Sequence, residues 1–118
     1  MRVLIVDDSL LVVRSLSNLL RDLGHDVIKT ASSGTMALDA YRECQPDVVT
    51  MDITMPDLDG IQATERILAE FPDARIIMVT SHGQEGMVMK SIKAGAKGYI
   101  LKPIKPDKLR EVISRVSR

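Results

Sequence analysis

Five side chains able to do chemistry fall at the ends of short apolar runs. Asp7 and Asp8 follow Val3–Val6, Asp52 follows Asp47–Met51, Thr80 closes Arg75–Thr80, and Lys102 follows Gly98–Leu101. Each alone has an ordinary role. Asp8 or Ser9 can cap a helix, Asp52 can be a loop carboxylate, Thr80 a strand hydroxyl bonded to backbone, and Lys102 a surface amine ahead of a turn proline. Brought to one edge, they form a site. Three converging carboxylates stay ionised at neutral pH only beside a compensating cation or cationic side chain. An oxygen-only ligand set favours Mg²⁺ over Zn²⁺ or Cu²⁺, and His25 and His82 lack ligand spacing. Magnesium held by few protein ligands keeps positions that phosphate oxygens fill. Asp52 is then a candidate nucleophile, forming an acyl phosphate, with Lys102 and the Thr80 hydroxyl offsetting charge on the phosphoryl oxygens. A Ser-His pair, a reactive-cysteine setting and a Gly-rich phosphate loop are all missing from the sequence, which argues against acyl transfer and nucleotide hydrolysis.

These residues need elements to carry them to a common edge. Short Val- and Ile-rich runs at Val3–Val6, Asp26–Thr30, Asp47–Met51, Arg75–Thr80 and Gly98–Leu101 read as strands buried on both faces. Helices fill the gaps: Ser9 to Leu23 before Gly24, a helix capped by Ser33 and running to Cys44, Gly60 to Phe71 before Pro72, Gln84 to Ala94 before Gly95, and a last one opened by Pro106. Strict alternation implies right-handed crossovers and a parallel sheet with helices on both faces. Such α/β sheets place their sites at the carboxyl ends of the strands.

Length and composition limit the alternatives. At 118 residues, with 45% hydrophobic side chains, the chain suits one domain with a single sizeable core. Its apolar runs are far shorter than the ~18 to 20 residues of a bilayer span, and Cys44 has no partner, so a cytoplasmic protein without membrane insertion is expected. Residues 1–83 carry 7 basic and 13 acidic side chains, residues 84–118 carry 9 and 3. The opposite signs suit either solvated helix faces or a basic face that meets an acidic partner. Direct nucleic-acid binding is not expected, because the basic residues are not interleaved with stacking aromatics.

The sequence resembles the receiver domains of two-component response regulators, most closely the stand-alone chemotaxis type. VLIVDD at Val3–Asp8, VVTMDITMPDLDG at Val48–Gly60, IIMVTS at Ile76–Ser81 and IKAGAKGYILKP at Ile92–Pro103 carry the resemblance, which spans Arg2 to Val116. It implies a flavodoxin-like (βα)5 doubly wound sheet of strand order 2-1-3-4-5, with residues 1–118 as one receiver domain. It implies that Asp52 accepts a phosphoryl group from a histidine of a sensor kinase. It implies a Mg²⁺ site of Asp7, Asp8, Asp52 and the Thr54 carbonyl, a phosphate-binding Lys102, and a Thr80 switch followed by Tyr99. Ile53, Thr54 and His82 take the variable positions that modulate the lifetime of the phosphorylated state. A downstream target would dock on the face of the fourth helix, fifth strand and fifth helix, a phosphatase is a possible further partner, and the Lys102–Pro103 bond should be cis. Ile104 stands where Phe is frequent in the family. The alternatives are the receiver portion of a larger regulator, a flavodoxin-like FMN carrier, and an aspartyl phosphatase. Two Asp residues after the first strand would repel an FMN phosphate, and no separate general acid is evident for a phosphatase.

Overall fold

A computed structural model of the chain describes residues 1–81 and 85–117. Strands and helices alternate throughout: β1 (Arg2–Val6), α1 (Leu10–Asp22), β2 (Asp26–Ala31), α2 (Gly34–Cys44), β3 (Val48–Met51), α3 (Gly60–Glu70), β4 (Ile76–Thr80), α4 (Glu85–Ala94), β5 (Gly98–Leu101) and α5 (Pro106–Val116). The strands pair in parallel in the order β2-β1-β3-β4-β5, as expected.

Three helices, α1, α2 and α3, start where the sequence supplies side-chain acceptors for the free amides of the first turn. Ser9 and Ser33 cap α1 and α2 by accepting from the amides of Val12 and Met36. At α3 the Asp59 carboxylate accepts from the Gln62 amide at 2.8 Å, and the Gln62 side chain accepts from the Asp59 amide at 3.3 Å. This reciprocal capping box satisfies two donors at once. Pro106 occupies the first turn of α5, where no amide is needed. Gly24 and Gly95 follow α1 and α4 at φ +89° and +106°, a region that side-chain-bearing residues avoid.

Element ends shift slightly from the sequence reading. α3 stops at Glu70 with Phe71 as its C-cap, and β3 and β4 begin at Val48 and Ile76, one residue later than expected. Asp47, just before β3, donates its amide to the Arg2 carbonyl at 2.8 Å and accepts on its carboxylate from the Arg2 amide at 2.7 Å. The expected helix start at Gln84 lies outside the described residues.

Side chains alternating along the central strands feed two cores. Leu4, Val6, Val49, Met51, Ile76 and Met78 pack with α2 and α3 on one face. Val3, Ile5, Val48, Ile77, Val79 and Ile100 pack with α1 and α5 on the other. Both β3 and β4 are buried along their whole length, which is why they read as largely apolar runs. β2 lies at the sheet edge and is half exposed. Burying both faces of the middle strands leaves their carboxyl ends as the place where polar side chains gather.

Candidate functional site

The sheet ladder continues one residue beyond each of the strands that matter. The Asp7 amide donates to the Ala31 carbonyl at 3.0 Å, the Asp52 amide to Val6 at 2.9 Å, and the Lys102 amide to Thr80 at 2.8 Å. These bonds fix three functional backbones on the carboxyl edge of β1, β3 and β5. The Lys102–Pro103 peptide is cis, as the resemblance implied. Beyond Asp52 the chain turns back, and the Gly60 amide donates to the Ile53 carbonyl at 2.7 Å.

The side chains converge on that edge. Asp7, Asp8 and Asp52 each offer a carboxylate oxygen, and these atoms lie within 4.8 Å of one another. Asp7 and Asp52 are 4% and 7% exposed, whereas Asp8 faces solvent. Lys102 Nζ sits 2.9 Å from Asp7 Oδ2 and 3.6 Å from Asp52 Oδ1. Asp7 Oδ1 accepts from the Ser9 amide at 2.9 Å.

Burial pushes the Asp52 carboxyl above the usual range, and the neighbouring Asp7 and Asp8 charges push the same way. Lys102 and the Ile53 amide oppose them. A carboxylate under this pressure gains from any added positive charge. The donor set is oxygen-only and partly open to solvent through Asp8, which fits a hard divalent ion such as Mg²⁺ better than a soft one.

The family follows from comparison. The model for the response regulator receiver domain matches residues 3–114. The chain belongs to that family. CheY of Thermotoga maritima is 43% identical over 117 residues, covering 99% of this chain and 98% of that protein. CheY of Bacillus subtilis is 43% identical over 114 residues, covering 97% and 95%. Among solved structures, a chain of the CheX-CheY-BeF3-Mg²⁺ complex from Borrelia burgdorferi superposes with a TM-score of 0.95 at 36% identity, covering 98% of this chain and 88% of its own. A receiver domain of this kind is a phosphoacceptor signalling module of a two-component system. An FMN-carrier reading finds no support among these relatives.

The remaining receiver residues occupy defined places. Thr80 is fully buried at the end of β4, and Tyr99, on β5, is half-buried against the α2/α3 core. Burial raises the Tyr99 phenol pKa. Ile53 is buried and Thr54 exposed. His82 lies outside the described residues. A groove of about 460 Å³ is lined by Tyr99, Leu101, Lys102, Pro103, Lys105 and Lys108, and Met89 and Ile92 on α4 and Leu101 on β5 are exposed. Among the described residues, no helix is long and apolar enough to cross a membrane.

Two contributions escaped the sequence reading. The Ser9 amide that orients Asp7 is a backbone group and leaves no compositional trace. The Asp59–Gln62 capping box that opens α3 was legible as Asp-x-x-Gln ahead of an apolar stripe.

Proposed function

We propose that Asp52 takes a phosphoryl group from the phosphohistidine of a sensor kinase, and that the domain then presents a changed surface to a downstream target, in a chemotaxis pathway. The observation that carries this is the convergence of Asp7, Asp52 and Lys102 from three strand ends. A carboxylate oxygen of Asp52 attacks phosphorus, a P–O bond forms, and the P–N bond to the kinase histidine breaks with its electron pair returning to the imidazole. The product is an acyl phosphate. Lys102 and the Thr80 hydroxyl receive phosphoryl oxygens as their charge grows.

Asp7, Asp8, Asp52 and the Thr54 carbonyl are the residues that would hold Mg²⁺, which when bound supplies positive charge to the phosphoryl oxygens. Burial first, and the Asp7 charge second, raise the proton affinity of Asp52, and a cation held there would offset both. Catalysis extends to the domain's own phosphotransfer and dephosphorylation and to no other substrate. Ile53 and Thr54 flank the acyl phosphate and, with His82, set its lifetime, alone or under a partner phosphatase.

The target binds across α4, β5 and α5. Exposed Met89, Ile92 and Leu101 supply apolar contact there, and Lys90, Lys93, Lys105 and Lys108 give the face a positive charge that suits an acidic partner. The domain works in the cytoplasm, with residues 1–118 forming the receiver.

The test is incubation with MgCl2 and a small phosphodonor, followed by intact mass and peptide mapping. One phosphoryl group on Asp52, absent in Asp52→Asn and in EDTA, is expected. Label on Thr54 or Ser81, or undiminished label in Asp52→Asn, overturns the assignment.

A further inference from the structure

The groove of about 460 Å³ shares a wall with the acidic site. It is lined by Tyr99 and Leu101 of β5, by Lys102, Pro103 and Lys105 after that strand, and by Lys108 in the first turn of α5. Three of these six residues are lysines, and none is a carboxylate. Lys102 belongs to both places, since its Nζ lies 2.9 Å from Asp7 Oδ2 and 3.6 Å from Asp52 Oδ1. Lys105 is exposed and makes no ion pair among the described residues. Lys108 reaches Glu111 only at 4.0 Å, with both side chains open to solvent, an arrangement worth little in water. Asp107, the carboxylate between them in sequence, pairs with Arg110 at 3.5 Å.

We infer that this groove is the entry point for a small anionic phosphodonor, an acyl phosphate, and that Lys105 and Lys108 hold the incoming dianion beside Lys102. Entry there rests on the reading of Asp52 as the phosphoacceptor. Lys102 and a bound divalent ion just balance the charges of Asp7, Asp8 and Asp52, so the cluster alone offers an approaching dianion no net attraction. Two further ammoniums along the groove supply it, because charges of one sign lining a cleft raise the local concentration of an oppositely charged ligand. Leu101, Pro103 and Tyr99 give the acyl group an apolar wall. In the transfer a carboxylate oxygen of Asp52 bonds to phosphorus, and the bond from phosphorus to the acyl oxygen breaks with its electron pair, releasing a free carboxylate. That product is a monoanion, which the two lysines hold less strongly than the dianion that entered.

Labelling of Asp52 by acetyl phosphate at saturating MgCl2 tests this through its salt dependence. At about 0.1 M salt, where the Debye length is about 10 Å, Lys105→Gln/Lys108→Gln should lower kcat/KM about threefold, the effect of two unit charges acting through water over such a distance. At about 1 M salt, where that length is about 3 Å, variant and parent should converge. Lys105→Arg/Lys108→Arg keeps both charges and should follow the parent throughout. Arg21→Gln/Arg66→Gln removes two charges elsewhere, from α1 and α3, and should label at nearly the parental rate. A gap that persists at high salt would mean that the lysines act by supporting the fold, and an equal loss in Arg21→Gln/Arg66→Gln would mean that only net charge matters. Either result overturns the entry groove.

A second readout needs no turnover. Acetylphosphonate, whose carbon–phosphorus bond does not transfer, should shift the Lys105 and Lys108 amide resonances and the Tyr99 ring resonances of the isotope-labelled parent in EDTA. Lys105→Gln/Lys108→Gln should lose the Tyr99 response. An analogue that leaves these resonances unmoved, or a double variant labelled as fast as the parent at about 0.1 M salt, overturns the entry groove while the phosphoacceptor stands. A parent that takes no label on Asp52 overturns the phosphoacceptor and the groove together.

Discussion

The bare Cα of Gly60 packs against the carbonyl of Asp52 so closely that a Cβ at Gly60 would lie 2.0 Å from that oxygen and 2.9 Å from the Ile53 Cα. The obstacle is backbone, which cannot swing aside as a side-chain tip can. The first residue of α3 is thus pressed onto the residue proposed to carry phosphate. Gly60→Ala must push α3 away or move Asp52. It should destabilise the fold by about 1–3 kcal/mol, the usual cost of overpacking a tight contact, and slow phosphorylation of the molecules that remain folded. Urea unfolding and labelling rates measure the two effects. A variant as stable and as fast as the parent would mean that the loop yields more easily than this contact implies.

Asp7 and Asp8 are neighbours in sequence and opposites in environment. Asp7 is buried and bonded to Lys102 and to the Ser9 amide, while Asp8 is exposed. Removing one member of a buried pair strands the other, so Asp7→Ala in EDTA should cost about 2–4 kcal/mol. Asp8→Ala should stay within about 0.5 kcal/mol of the parent, as solvent-facing substitutions do. Metal affinity should rank the other way, with the larger Mg²⁺ loss in Asp8→Ala, because Asp7 already spends its oxygens on protein partners. Denaturant unfolding in EDTA and calorimetric titration test the two rankings separately.

Asp52 makes metal-free stability depend on pH. Its folded pKa lies above the ordinary value of 3.8, chiefly through burial and then through Asp7. As pH rises past 3.8 the unfolded chain releases this proton first, so the group stabilises the unfolded state and stability falls until the folded carboxyl has ionised too. At lower pH both states hold the proton and the effect vanishes. Asp52→Asn should therefore melt higher than the parent in EDTA at pH 7, with the two curves converging below pH 3.8. A parent that melts higher than Asp52→Asn throughout that range would show that Lys102 outweighs burial.

Much of this arrangement was legible without coordinates, for reasons that differ by element. β3 and β4 announce themselves because burial on two faces favours apolar side chains, Thr50 and Thr80 being the only polar residues in them, and Ser9 and Ser33 mark helix starts because their hydroxyls compete for backbone amides. Asp7, Asp52 and Lys102 were placed on one edge by alternation alone. The strand order came from the family resemblance, since alternation does not say which strand neighbours which. Pairing escaped entirely: that Lys102 bonds Asp7 more closely than Asp52 depends on rotamers across three strands. The contact of Gly60 with Asp52 depends on how the intervening loop folds back.

Thr80 and Tyr99 share one face of the sheet. Met78 pairs with Tyr99 and Thr80 with Leu101, and Met78 belongs to the α2/α3 core, so alternation along β4 and β5 turns Thr80 and Tyr99 toward that same side. Thr80 is also tied to the phosphate end, because its carbonyl accepts from the Lys102 amide at 2.8 Å. An acyl phosphate on Asp52 adds charge and acceptor oxygens, which favour the conformer whose Thr80 hydroxyl points toward the site. That movement vacates space on the face where Tyr99 packs. Phosphate can bias Tyr99 only through a group that contacts the two states differently, and the Thr80 hydroxyl is the group proposed for that role. Thr80→Ala should keep phosphorylation on Asp52 but lose the phosphorylation-dependent change at Tyr99, read as the shift of its ring resonances, along with the gain in target affinity. If Tyr99 in Thr80→Ala still responds to phosphorylation as in the parent, the signal reaches β5 through Lys102 and the backbone instead.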